Sequence, residues 1–523
     1  ARKALEAALE LDPKRVEALR RLAQLCLDDE DWRAAAEALI RIARLRQDRE
    51  ELRWVFFTLG DIYDQRMPDP RRAEAAFRRV LKLVPDDLEA MDRLASLYER
   101  EGAFDKAVVV LRELAEKELD PDETQRHLLR VAQAFEKHGD PRSAERVLDD
   151  ARKQDPTDLV FLRAMAELYQ RQGAHSALSM HLGRALGDFR RAIEEAPAQV
   201  HLWSGLVEVL DWKDRKDAAR VAASAAFGLG VQDVELAKRV DERGGVPGAG
   251  AAAASPELRD LLAPRALSLP LFEVFRLASD AFDKALPFDA RSWRAEKLPG
   301  RNHPLKAEAQ RVGQWFGMSD VQILVTGAAP RLCVPVAESP VTLLVGRDLA
   351  SLTDEAERAF LFARALAVAS AHLTVALRTQ PAQLALTLAG LIRSYDPHYA
   401  PKGVDAGELD EVAKRVGKAI PRRAREPLGP VTIEMGGAPG FDPVRLGVAA
   451  AELGDRVALL ALGTTPAALS GLLKLAGAEV PEGAPVTRRV KTLRKVGEAW
   501  NLLRFAISDA HFDARRRAGA ERL

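Results

Sequence analysis

Nine histidines and two cysteines are the raw material for any metal or nucleophile chemistry in this chain. Zinc-dependent hydrolysis needs two histidines one helical turn apart, a glutamate beside the first as general base, and a third ligand. No His-Glu-x-x-His run occurs. Cys26 and Cys333 are too few for a disulfide framework or a cysteine-rich zinc module, which fits a reducing compartment and an expected cytoplasmic location. Cys333 borders a β-like run, where a thiol packs as a small apolar side chain. No Ser/His/Asp or Cys/His arrangement stands out. The run Gly436-Gly437-Ala438-Pro439-Gly440 lacks the Lys-Ser/Thr of a phosphate loop and reads as a plain loop. No catalytic residue, metal ligand or cofactor is therefore assigned, and the chain is not expected to be an enzyme.

Function must then be sought in what the elements can position. Lys+Arg and Asp+Glu both number 78, and this balance gives no chain-wide electrostatic footprint for nucleic acid or an acidic membrane. The basic runs Lys418–Glu426 and Arg515–Arg517 read as solvated surface. No stretch of about 20 apolar residues is free of charge. The closest, Ala359–Leu377, carries Arg364 and His372 and reads as a buried core helix. At 523 residues the chain is too long for one core and should divide.

A fixed period organises the first half. Ala23/Cys26, Gly60/Tyr63, Ala95/Tyr98, Ala132/Phe135 and Ala166/Tyr169 each place Cys, Tyr or Phe three positions after a small residue, and the small residues are 37, 35, 37 and 34 apart. A second small residue (Ala35, Ala73, Ala107, Ala144) follows 12 or 13 positions later, and Pro13, Pro85, Pro121, Pro156 and Pro197 close most of the blocks. The spacing predicts two amphipathic helices per block, joined by polar turns such as Asp28–Asp31, Glu99–Ala103 and Lys137–Pro141. Small residues let the paired helices approach, the aromatic plugs the gap to the next pair, and proline ends one pair and starts another. A lone pair cannot bury its apolar stripe, so pairs must stack into a superhelix with a concave groove. The Gly60–Pro85 block carries one extra residue, the block from Leu159 has an insertion over Ala174–Gly187, and the worn last block, Val200–Gly230, keeps Trp203 and Gly205. Residues 1–11 read as the second helix of a pair, so the chain is expected to be a piece of a longer one.

Over residues 1–233 this pattern resembles the tetratricopeptide repeat. The resemblance implies a right-handed superhelical array that holds a protein or peptide partner in its groove. The Lys/Asn set with which some members clamp a C-terminal carboxylate is not recognisable, and packing is the role expected of Tyr63, Tyr98, Phe135 and Tyr169.

The Gly/Ala/Pro-rich segment 234–256 reads as a linker, and 257–523 follows a different grammar. Leu271–Leu286 and Pro304–Phe316 read as helices, Val321–Thr326 and Val341–Val345 as strands, with Cys333–Val336 as a third. Thr353 is the expected N-cap of a long helix, Glu355–Leu377. The whole chain is then mostly α, with a smaller α+β domain around a short sheet.

The order Trp315–Val325, Val341–His372 and Ala449–Leu475 resembles the catalytic domain of HExxH zinc metallopeptidases of the heat-shock/CAAX-protease family. The resemblance implies that fold, but its motif positions hold Ala363, Arg364, Ala365, Leu366 and Ala367. His372 falls where some members carry a further histidine. At the third-ligand position, four before Asp455, stands Ala451, with Glu452 one residue off. This implies an inactive peptidase; the other reading of this half is an unrelated α+β fold with His372 in its core. Under both, a buried Arg364 needs a carboxylate, with Glu452 or Asp455 expected. The expected function is a protein-interaction scaffold with a second docking or regulatory domain. The alternatives are a hydrolase with non-standard ligands, or a structural part of a larger bacterial envelope or motility assembly.

Overall fold

Aspartates start most of the helices in the first half. Asp48, Asp69, Asp87, Asp120, Asp140 and Asp158 each accept a hydrogen bond from a backbone N–H in the first turn that follows, where the helix leaves donors without partners. In this computed structural model, which describes residues 1–45, 47–240, 250, 255–300, 303–438, 441–481 and 483–519, the helices come in pairs. After Arg2–Leu11 come Val16–Asp28 with Trp32–Leu45, Arg49–Asp61 with Pro70–Leu83, Leu88–Arg100 with Phe104–Lys117, and Pro121–Lys137 with Pro141–Gln154. Leu159–Arg171 with His175–Glu195 and Val200–Trp212 with Lys216–Gly228 complete the series.

One closure recurs within the pairs. Glu30, Gly102, Gly139, Gly173 and Asp214 take left-handed φ values of 57, 71, 86, 65 and 55°. The next residue's N–H then reaches back to the carbonyl of Cys26, Tyr98, Phe135, Tyr169 or Leu210. In the second pair the extra residue is absorbed as a π-helical turn, Ile62–Arg66, and the N–H of Asp69 reaches the carbonyl of Tyr63. The insertion after Leu159 is absorbed differently. His175–Glu195 is 21 residues long where Pro141–Gln154 has 14, an addition of about two turns.

The chain divides into two compact units, Ala1–Ala185 and Leu186–Leu523. The division falls inside the long helix rather than at residue 233, so the last pair belongs to the C-terminal unit. Of the segment read as a linker, residues 241–249 and 251–254 lie outside the described residues, and Val234–Ala237 forms a short helix.

The C-terminal unit is mostly helical around one four-stranded sheet. Its strands are β1 (Glu296–Lys297), β2 (Val321–Thr326), β3 (Cys333–Glu338) and β4 (Val341–Gly346), in the order β1-β2-β4-β3. β2 and β4 run parallel, Val321 opposite Val341 through Thr326 opposite Gly346, and β3 returns antiparallel to β4 with an irregularity between Pro335 and Ala337. Beside the sheet the helix Glu355–Ser370 is buried along most of its length. Three expectations need correction here. Asp354, not Thr353, caps this helix, accepting from Ala356 and Glu357 N–H. The helix stops at Ser370 because His372 turns left-handed, at φ 59°, and a separate short helix, Thr374–Arg378, follows. Gly436 and Gly437 end the helix Arg422–Gly437 instead of lying in a loop.

Gly454 decides how Leu446–Leu462 crosses the buried helix. A Cβ there would lie 2.7 Å from the carbonyl oxygen of Arg364. The two backbones approach at that point, and the next residue, Asp455, is brought beside Arg364. Among the described residues no helix is long and apolar enough to cross a membrane.

Candidate functional site

In the N-terminal unit the small residues mark close approaches. Ala23, Ala95, Ala132 and Ala166 are buried, and a Cβ on Gly60 would meet the Phe77 ring at 2.5 Å. Cys26 and Tyr63 are buried and Phe135 is half-buried beneath the Arg112 guanidinium, 5.1 Å from its ring centroid. The Tyr98 hydroxyl donates to Glu74 Oε1 at 2.9 Å and accepts from Arg78 Nε at 3.1 Å. The Tyr169 hydroxyl donates to Glu145 Oε1 at 2.5 Å. Burial pushes both phenols up, so both stay protonated. Glu74 and Glu145 lie on the second helix of the preceding pair. The tyrosines therefore lock backward through their hydroxyls, to the pair before them.

Successive first helices are joined by ion pairs: Arg20–Glu51 at 2.5 Å, Arg53–Asp87 at 2.5 Å, Arg130–Glu99 at 2.8 Å, Arg171–Glu136 at 2.7 Å, and Arg100–Asp64. Between Pro121–Lys137 and Leu159–Arg171 a groove of about 500 Å³ opens. Leu129 and Ala164 give it an apolar floor, and the exposed Gln133, Lys137, Glu167 and Arg171 form a mixed-charge rim.

The positions singled out in the C-terminal unit form an ion cluster. Arg364 Nε donates to Asp455 Oδ1 at 2.5 Å and Nη2 donates to Glu498 Oε2 at 3.2 Å. Burial alone would weaken the hold of Arg364 on its proton, but Asp455 and Glu498 outweigh it and the guanidinium stays charged. Burial pushes the Asp455 carboxyl up to about 7, against the pull of Arg364. Of the two partners expected for Arg364, the structure selects Asp455; Glu452 pairs with Arg456 instead. Glu498, on the helix Gly497–Ala506, had no motif to announce it. Ala363 and Ala367 are buried and offer no ligand atom. With a cation between them, these residues do not fit a zinc ion. Among the described residues no group of three His, Cys, Asp or Glu side chains could hold a metal. His372 lies apart from this cluster, its Nδ1 2.8 Å from Glu338 Oε2, and that carboxylate raises its pKa. Cys333 is fully buried, its Sγ donating to the Leu361 carbonyl at 3.4 Å, and burial pushes the thiol up to about 12, which leaves it unreactive.

Residues 125–168 match the tetratricopeptide repeat family model. No curated protein matches the chain. Among solved structures, a MamA protein is 22% identical, covering 30% of this chain and 82% of its own, with a TM-score of 0.25. MamA from Desulfovibrio magneticus RS-1, residue 41 to its end, is 20% identical over 34% of this chain and 96% of its own, at 0.24. YrrB, described as a TPR protein with an unusual peptide-binding site, is 14% identical over 39% and 97%, at 0.26. Overlaps at this level decide neither the fold nor a partner.

The last repeat-like pair is joined to the C-terminal helices by charges that sequence reading missed. Arg515, read as solvated, is 2% exposed and donates to both carboxylate oxygens of Asp217 at 2.7 and 2.8 Å. Asp217 lies on the second helix of the pair, and Arg515 on Asp509–Arg517. Arg190 makes a second bidentate pair with Asp509, both bonds at 2.8 Å, and Arg215 meets Asp513 at 2.7 Å. His511, one turn before Arg515, donates through Nδ1 to the Ala506 carbonyl at 2.9 Å. Burial pushes it down to about 3, so it is neutral in the folded protein.

Proposed function

We propose that the chain is a non-catalytic interaction scaffold. The helix pairs of the N-terminal unit, stacked as a right-handed superhelix, hold a peptide or protein segment. The C-terminal unit, a metallopeptidase-like domain without its metal, adds a docking or regulatory surface. The observation that carries the reading is the groove between Pro121–Lys137 and Leu159–Arg171. Its floor is apolar and its rim is exposed, so its side chains are available to a partner without unpacking the pair. For the C-terminal unit, the Arg364–Asp455 pair supports loss of metal chemistry, because a buried cation occupies the place of the general base.

The test is affinity capture with the full chain and with the rim variant Gln133→Glu/Glu167→Lys, followed by measurement of melting temperature. The reading expects a specific protein to be recovered by the first and lost by the second, with melting unchanged. Equal recovery by both would remove the groove from the account. Elemental mass spectrometry and a casein-hydrolysis assay address the other half. Substoichiometric zinc and no cleavage are expected, and a full equivalent of zinc would return this unit to the enzymes.

A further inference from the structure

A second cavity, about 180 Å³, lies in the C-terminal unit where four helices meet. At ~30 Å³ per water it holds roughly six waters, the size of a small organic acid. Phe272, Leu453 and Val457 give it apolar walls, and Arg259, Arg276 and His372 line it with positive or titratable groups. Two of these three are already answered. Arg276 is held by Glu273, its Nε at 2.9 Å, and His372 by Glu338 at 2.8 Å. Arg259, on the helix Pro256–Leu262, has Glu273 of the same lining within electrostatic reach, but one of its donors has no acceptor. Its guanidinium packs 5.2 Å from the Phe272 ring centroid, and its Nε is buried with no hydrogen-bond partner among the described residues.

A buried N–H without a partner is costly, and such a group in a folded protein calls for an explanation. His372 holds the left-handed position that commonly ends a helix with glycine, as Glu30 and Asp214 also do. Its bond to Glu338 keeps the ring at the cavity wall. The cavity thus combines a guanidinium with one unpaired donor, an imidazole held in place by Glu338, and an apolar wall a few side chains wide.

We infer that this cavity binds a carboxylate carrying a small branched apolar group, with the carboxylate on Arg259 and the apolar group against Phe272, Leu453 and Val457. The carboxylate would supply the acceptor that Arg259 Nε lacks, in a charge-assisted bond stronger than a neutral one. Its source is either a free short-chain acid or a peptide ending in a branched aliphatic residue, since both present the same group.

The probe is isovalerate, with isovaleramide as its neutral isostere, titrated into the full chain by saturation-transfer NMR. The acid is expected to bind at least about tenfold more tightly than the amide, because only the carboxylate can pair with a guanidinium. Arg259→Leu should abolish that preference, while Arg265→Leu, at an exposed position on the following turn, should leave it intact. Equal binding of acid and amide to the unaltered chain overturns the inference without any variant having to fold. A preference that survives Arg259→Leu overturns it as well. Peptides ending in leucine, with free and amidated C-termini, then separate the sources. Competition by the free-ended peptide below the isovalerate concentration assigns the site to a chain terminus, and weaker competition assigns it to a free acid; either supports the carboxylate site.

Discussion

The two units spend their charges in opposite ways. In the N-terminal unit ion pairs step from one first helix to the next over 31 to 36 residues, and most keep one partner well exposed, as Arg171 does at 50%. In the C-terminal unit Arg364–Asp455 and Asp217–Arg515 join residues 91 and 298 apart, and both arginines are at most 5% exposed. Exposed pairs contribute little because water screens them, whereas a buried pair is costly to break because one charge is stranded. The repeat-like helices can therefore rely on repetitive apolar packing. The C-terminal unit depends on a few unrepeated pairings, each able to fail alone.

The sharpest way to break this contrast is to strand a buried charge. Asp217→Ala should destabilise the C-terminal unit by about 3–5 kcal/mol, leaving Arg515 without its bidentate partner. Asp217→Leu with Arg515→Met should recover most of that loss. Urea unfolding of the single and double variants checks it, and a single variant within about 1 kcal/mol of the unaltered chain would mean that water reaches Arg515.

That dependence also explains what could be read from residues alone. The small/aromatic period was legible because four of the first five pairs repeat one local closure, at Cys26, Tyr98, Phe135 and Tyr169. The last pair keeps the closure at Leu210 but with an aliphatic in the aromatic place, so its periodicity faded. Strands β2 and β4 announced themselves by branched residues ending at glycine, while two-residue β1 carried no pattern. Asp455 was legible because a buried Arg364 demands a carboxylate, but Glu498, 134 residues away, was not. Arg515 looked like its exposed neighbours because three successive arginines face different sides of a helix, and only one turns inward. The division at Ala185 escaped notice for the same reason. A Gly/Ala/Pro run is visible in composition, whereas bonds between Arg190 and Asp509 or Asp217 and Arg515 join segments with no shared local pattern.

Packing at small residues should separate the units less. Gly60→Ala puts a methyl 2.5 Å from the buried Phe77 ring, and Gly205→Ala puts one 2.3 Å from the buried Phe189 ring. Each ring would have to shift with its helix, at about 1–3 kcal/mol. Thermal unfolding of each variant should show a drop in both units, and no change at Gly205 would mean that the last pair is loosely packed.

A pH titration sharpens the contrast inside the C-terminal unit itself. Folding takes His511 down to about 3 from the ordinary histidine value of 6.5, so the unfolded chain takes up a proton that the folded one refuses. Its contribution is present above 6.5 and lost as the pH falls toward 3, at up to about 1.4 kcal/mol per unit. His372 is raised by Glu338, so its contribution is present below 6.5 and lost as the pH rises through its folded value. Stability differences between the unaltered chain and His511→Asn, and separately His372→Asn, should therefore slope in opposite directions with pH. Parallel slopes would contradict the burial of one imidazole or the pairing of the other.

The smallest effect expected is at the exposed pairs of the N-terminal unit. Arg171→Ala removes the bidentate contact with Glu136, and Arg20→Ala removes the single bond to Glu51, yet each should cost about 0–1 kcal/mol and less in high salt. The reason is local: both arginines are about half exposed, so water already screens each pair. Glu51 and Glu136 are more enclosed, at 8% and 26% exposure, so removing the arginine gives a loss as small as removing the carboxylate only if water reaches those sites. A loss above about 2 kcal/mol at Arg20→Ala, which takes one charge partner from the enclosed Glu51, would place that pair with Asp217–Arg515 and erase the distinction between the two units at its N-terminal end.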